Sequence, residues 1–429
     1  MKGYLKIVVI FMLVALSALG IYNIASIYNV KLLSNNIDYT IINKNIKNGI
    51  SLAIDNSKNI YVAKRTQIKI ITSEGKEKVL ISNGSYDIED ILYDNNLIYF
   101  ISKTTLYKLN LDNLDIENYL ENIPLCGNDV KRKLFVLNGD IGLTIAACTN
   151  SGVSEGPNFD IPPIDMTLNG NNFGDNEDIA YCKKPGIKCK VGEKIEGQKI
   201  GNAAIYIIDR KTRELKLYAS GIRAVTGIDV SSEGKVYAVI EGMADKGLRA
   251  ISDDSDYIYE IKKGVWYGFP DYSGGDYIES PRFQDKDGKL VKPILLLDSK
   301  TSQKPNGPIF ISEKQNTIKC CAIDKDGNVF GKDGIIFYDK NSKEVKALNK
   351  DGSIKKILTV SNNSDVSYII YNQNQFYILD SSLGYLYKVS LKDHKRNFCV
   401  PQNIWVFITA LSLVLLGIVI YKLVSRAKK

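Results

Sequence analysis

Five carboxylates fall within sixteen residues: Glu241, Asp245, Asp253, Asp254 and Asp256. Oxygen-rich spacing of this kind can build a calcium shell of about six to eight ligands, with backbone carbonyls completing it. Asp253, Asp254 and Asp256, in "DDSD", are the candidate metal ligands. The same stretch also reads as a solvated loop, and it lacks the glycine and bidentate glutamate of an EF-hand. Upstream, Arg223 carries a guanidinium able to clamp a carboxylate or phosphate through paired hydrogen bonds, or to close a turn of the scaffold. Glu241 and Asp245 are pocket candidates and possible proton acceptors. Downstream, "KKGVWYGFPDYSGGDY" from Lys262 to Tyr277 holds Trp266, one of only two tryptophans, next to Tyr267. Aromatic faces stack on sugar rings, while Gly264, Gly268 and Pro270 around them suit a tightly packed corner that wedges structural elements together.

Other chemistries fail for want of residues. The single histidine, His394, lies ten residues before a C-terminal apolar run, so a serine triad or a zinc centre has nothing to build on. No GxSxG elbow, P-loop or HExxH is present. Seven cysteines are too few for a disulfide-built scaffold in 429 residues. Cys182 and Cys189 bracket "KKPGIK" and are the candidate disulfide; the alternative is two reduced loop thiols. Cys320 and Cys321 are neighbours whose side chains alternate on a strand, which suggests one structural thiol and one exposed or unpaired. A second acidic group, Asp175, Glu177 and Asp178, lies in a long polar stretch between Thr149 and Lys199, read as a lid over a binding site or as decoration.

These residues need a scaffold, and a repeat supplies it. Paired short strands with period-two alternation recur in "NIYVAKRTQIKIITSEGK", "LIYFISKTTLYKLNLDN", "KVYAVIEG" with "DYIYEIKKG", "NVFGKDGIIFYDKNS" and "QFYILDSSLGYLYKVSLKD". A sixth copy is split: "IGLTIAACTNSG" and "AAIYIIDRKT" flank an insertion of about fifty residues. Six sheet-forming repeats predict an all-β, six-bladed β-propeller over 35–395, with the insertion at about 150–199. Radial closure removes the open sheet edges that a linear array would expose.

Ile7 to Tyr22 and Ile404 to Tyr421 are apolar runs without a charged residue. Each approaches the ~20 residues that cross a bilayer. They divide the chain into an N-terminal anchor or signal segment (1–28), the propeller, a C-terminal transmembrane helix (403–422) and a basic tail (423–429). Lys2 and Lys6, and Lys422, Arg426, Lys428 and Lys429, place both termini in the cytoplasm and the propeller outside the cell membrane. Those six cations account for most of the net charge of +8, leaving the middle nearly neutral. That balance, without a basic face, argues against nucleic acid as a partner.

The run from Leu217 to Asp276 resembles the glucose/sorbosone dehydrogenase family of soluble quinoproteins. Gly221, Arg223, Gly227, Gly264, Trp266, Tyr267, Gly268 and Pro270 match its pattern, and "ACTNSGV" and "IDMTLNGNNF" are similar to segments of bacterial members. The strong resemblance covers about residues 145 to 275. It implies a six-bladed propeller with pyrroloquinoline quinone and calcium at the mouth of a central tunnel. It also implies a histidine base in the propeller and an Asn-Pro after the arginine. This chain has neither: its histidine is outside the repeats, and Ala224 and Val225 follow Arg223. The expectation is therefore a membrane-anchored propeller that binds a sugar or cell-wall ligand without catalysis. Two alternatives stand beside it, a quinone-dependent sugar dehydrogenase with Glu241 or Asp245 as substitute base, and a scaffold for a protein partner of unknown kind.

Overall fold

The computed structural model describes residues 2–27, 30–126, 132–154, 159–168, 178–179, 192–247, 249–280, 283–284, 305–327, 329–392 and 402–427. His394, Cys182, Cys189, Asp175 and Glu177 lie outside the described residues.

Six four-stranded antiparallel units surround one axis. Their innermost strands are Ser51–Ile54, Ile88–Asp94, Leu134–Leu137, Val225–Val230, Ile318–Asp324 and Val366–Asn372. Alternating side chains leave each sheet two faces, and in a propeller both are covered by neighbouring blades. Accordingly, six apolar clusters fill the six blade junctions. Between blades one and two, for example, Ala53, Ile68, Ile91 and Phe100 are buried together.

The sequence repeat corresponds to the second and third strands of each blade: Ile60–Lys64 with Gln67–Ile71, Leu97–Ser102 with Thr105–Asn110, and Gln375–Asp380 with Tyr385–Leu391. The insertion joins Asp140–Ile145 to Ala204–Ile208 in blade three, where the split repeat placed it. Blade five differs from the sequence reading. Val329 and Phe330 form no strand, because Asp324 accepts their amides and that of Gly327 in a turn. The hairpin there is Gly334–Asp339 with Glu344–Leu348.

The ring closes by mixing its ends. Ile37–Asn43, from the N-terminal side, is the outer strand of blade six and pairs with Tyr385–Leu391. Val30–Leu32 adds a fifth strand to blade five against Ile354–Val360. Closure thus ties both chain ends to adjacent blades.

Two 26-residue helices flank the ring, α1 (Lys2–Ile27) and α2 (Gln402–Ala427), and they pack on each other. Their side chains are described only between 8 and 21 and between 406 and 420. Among the described residues no helix is long and apolar enough to cross a membrane.

Candidate functional site

All six inner strands begin at the same end of the axis, and a cavity of about 480 Å³ opens there. Around it stand Ile50, Arg65, Lys133, Glu241, Lys319 and Asp365. Each enters at the start of an inner strand or at the end of a second strand, so strand direction alone gathers them. Lys319 is paired with Asp365 at 2.6 Å, and Arg65 grips Asp87 with two hydrogen bonds of 2.8 and 2.9 Å. Lys133 is different. It is 93% buried, yet its amine has no hydrogen-bond or ion-pair partner among the described residues. It sits 5.0 Å from the centre of the Tyr368 ring, a cation–π contact.

Beneath Lys133 lies a buried polar layer. Ser51 Oγ donates to Asp90 Oδ1 at 2.5 Å, and the Leu134 amide donates to Asp90 Oδ2 at 2.8 Å. Burial raises the Asp90 carboxyl, and the Lys133 charge opposes that rise. Burial likewise pushes the Tyr368 phenol well up. Sequence reasoning missed Lys133, Lys319, Arg65 and Asp90, since single charges at strand starts carry no spacing signal.

The acidic group does something else. Asp254 accepts from the Met243 and Ser255 amides and from Ser273 Oγ, and also bonds Tyr257. Asp256 accepts from the amides of Gly242, Asn316, Thr317 and Ile318. Both carboxylates hold loops together and have their oxygens occupied by protein donors, whereas Asp253 points to solvent. A calcium ion would have to displace those donors, and no group of three metal-ligating side chains exists among the described residues. The residues therefore do not fit calcium at this loop.

Arg223 closes the scaffold. Its guanidinium donates to the carbonyls of Asn150 and Gly242 at 2.9 and 2.6 Å and to Asn150 Oδ1 at 3.1 Å, with Glu241 at 3.8 Å. Of the pocket candidates only Glu241 reaches the cavity. Asp245 is exposed nearby on the same loop. Trp266 and Tyr267 are corner packing: the segment after Gly264 lies along the outer edge of blade three, with a single parallel bridge between Ser220 and Trp266. The Tyr267 hydroxyl donates to Glu260 O and accepts from the Lys262 amide. Gly221, at φ 69°, abuts the indole, where a Cβ would come within 2.5 Å of the ring.

One cysteine pairing was not anticipated from the sequence. Cys126 and Cys148 form a disulfide, tying the entry of blade three to the base of the insertion. Both Cys320 and Cys321 are free and buried, so neither is exposed. A bulge with Cys320 at φ 66° turns the two thiols into different blade junctions. At the insertion base, Asp160 accepts from the Cys148 amide, Thr149 Oγ1 and Asn202 Nδ2.

These buried acids predict a pH profile. Burial raises Asp90, Asp160 and Asp254, and holds Asp256 at about 6 against its amide donors. A carboxyl raised in the folded state contributes stability that is complete below its unfolded value, about 4, and is lost as pH rises through its folded value, which for Asp256 is about 6. Glu77, held low by Lys69 and Asn43, and Asp351, held low by Ser353, lose their contributions only below about 4. Calorimetric melting should therefore rise from about pH 7 to about pH 5 and fall below about pH 4. A flat profile across the upper range would discard this account of the buried acids.

No family model matches this chain, and no curated protein does. Solved structures do. The pyrroloquinoline quinone domain of pyranose dehydrogenase from Coprinopsis cinerea is similar at a TM-score of 0.58 and 11% identity, over 85% of this chain and 97% of that one. A carbohydrate-active enzyme of family AA12 from Trichoderma reesei gives 0.59 and 11%, over 85% and 98%. The quinone-bound aldose sugar dehydrogenase of Streptomyces coelicolor gives 0.54 and 10%, over 85% and 98%. The chain shares the fold of these structures, a six-bladed β-propeller.

Proposed function

We propose that this propeller is a membrane-tethered, extracytoplasmic binding protein that takes an acidic sugar or cell-wall fragment into its axial mouth without catalysis. Lys133 carries the reading. This residue, 93% buried at the wall of a cavity of about 480 Å³, has the Asp90 carboxyl near it but no ion pair among the described residues, which suits an anionic ligand that supplies a direct partner. Lys319 and Arg65 add positive charge, and Glu241 and Asp365 can accept sugar hydroxyls. The tether reading is supported by the apolar outer faces of α1 and α2, where Phe11, Met12, Phe407 and Val414 are 60% exposed or more.

The test is calorimetric titration of the full chain in detergent with glucuronate and with glucose. Glucuronate is expected to bind and glucose to bind more weakly. Lys133→Met should weaken glucuronate binding about 10- to 100-fold, the worth of one charge-assisted hydrogen bond. Equal binding of both sugars, or no effect of the substitution, would remove the acidic-sugar reading.

The same cations favour one second reading. Pyrroloquinoline quinone bears carboxylates that Arg65, Lys133 and Lys319 would hold, and when bound the quinone accepts a hydride from a sugar alcohol. Glu241 is the mouth acid placed to receive the hydroxyl proton. Sugar-driven dye reduction after loading with the quinone would establish that activity; tight binding of the quinone without reduction would leave a non-catalytic pocket.

A further inference from the structure

Strand direction places α1 at a specific edge of the propeller. In blade five the outer strand Ile354–Val360 runs toward the mouth end, since its chain continues through Asp365, at the mouth, into the inner strand Val366–Asn372. Val30 pairs with Val360 and Leu32 with Leu358. The N-terminal strand therefore begins at the mouth-side rim and runs away from it. Only residues 28 and 29 separate Val30 from the end of α1 at Ile27, and two or three extended residues reach about 10 Å at most.

The other chain end leaves from the far face. Leu391 pairs with Ile37, and the Lys392 amide bonds Asn36 O, both at the end opposite the mouth. Nine residues then precede α2 at Gln402. They reach about 30 Å, enough to climb a blade whose strands rise about 3.3 Å per residue. The helices do meet: Ser17 Oγ and Ser412 Oγ share a hydrogen bond of 2.8 Å, and Gly20 faces Thr409 so closely that a Cβ would lie 2.0 Å from its hydroxyl. Residue numbers rise along one helix as they fall along the other, so the pair is antiparallel. Small and hydroxyl side chains inside with apolar side chains outside is the arrangement that suits helices surrounded by lipid.

Resting on the membrane reading above, we infer that the mouth-side face of the propeller is held against the bilayer surface, so that the axial site receives its ligand from the membrane. Turns on the mouth side present Lys103, Lys340 and Lys343, which can meet anionic headgroups. Turns on the far side mix acids with bases, as in Asp209 with Lys211 and Lys350 with Asp351, so the orientation rests on strand direction.

The test places a fluorophore by cysteine substitution at the two ends of blade five, Asn341→Cys on the mouth side and Asp351→Cys on the far side. The full chain is reconstituted in phosphatidylcholine/phosphatidylglycerol vesicles containing a nitroxide-headgroup lipid, with the unsubstituted chain measuring background labelling. The two turns stand about 20 Å apart along the strands. Strong quenching at position 341 with little at 351 is expected. Equal or reversed quenching in a chain that resists alkaline extraction overturns the orientation while leaving the tether standing. A chain washed off at alkaline pH overturns the tether, and this inference with it.

Discussion

Asp256→Ala is expected to unfold the junction of blades four and five. The wild-type carboxylate accepts four backbone amides, from Gly242 at one loop and from Asn316, Thr317 and Ile318 at another. Alanine leaves all four without that acceptor, and each buried orphan costs about 1–3 kcal/mol where water cannot replace the oxygen. Even with partial hydration the loss is on the order of 4 kcal/mol, a large part of the about 5–15 kcal/mol that holds a domain together. Denaturant unfolding of the full chain in detergent reads the effect. A second arm separates the structural clamp from a metal site. If Asp256 holds loops, calcium and chelator leave the wild-type midpoint unchanged; a calcium-dependent rise of the wild-type midpoint, abolished by the substitution, would restore these acids as ligands.

Gly227→Val should be at least as damaging, for a steric reason. Gly227 sits at a bulge in the inner strand Val225–Val230, where that strand crosses closest to blade five. A Cβ there would lie 2.3 Å from the carbonyl carbon of Cys320 and 2.4 Å from the Cys321 nitrogen. The obstructing atoms are backbone of a neighbouring inner strand, so no rotamer change relieves the overlap. Overpacking of a core by smaller insertions already costs about 1–3 kcal/mol, and a β-branched group against backbone should exceed about 3 kcal/mol. The expected result is a chain that fails to fold or melts far below the parent. Gly264→Ala is the control, because a Cβ at Gly264 meets nothing within 4 Å; its cost is confined to its φ of 75°. Comparable stability of the Gly227 variant and the parent would show that the strands can separate.

The two substitutions bear on how the motif should be understood. Gly221, Arg223, Gly227, Trp266 and Tyr267 belong to the part of the chain that resembles quinoprotein dehydrogenases, and each makes packing or hydrogen-bond contacts within the scaffold. Arg223 ties Asn150 to Gly242, Gly221 makes room for the Trp266 indole, and Gly227 admits the backbone of blade five. The resembling stretch supplies Val225, Thr226 and Glu241 to the mouth cavity, while the cavity's charged residues other than Glu241 come from elsewhere in the chain.

The sequence by itself determined the ring. Alternating apolar residues specify half-buried strands, polar Asn, Asp and Gly clusters specify their turns, and six copies at near-even spacing leave closure as the way to cover both sheet faces. It also located the insertion, because a long polar stretch between two recognisable strands has one place to go. Only the tertiary structure decided the site. Lys133 and Lys319 are 186 residues apart, and they share a cavity because every inner strand starts at the same end of the axis. Asp254 and Asp256 read as metal ligands while their neighbours were unknown; the donors that occupy them come from as far away as Ser273 and Ile318. Periodicity is a local property that burial imposes along each strand. Which charges face one another depends on the turn of the ring, and spacing along the chain does not encode it.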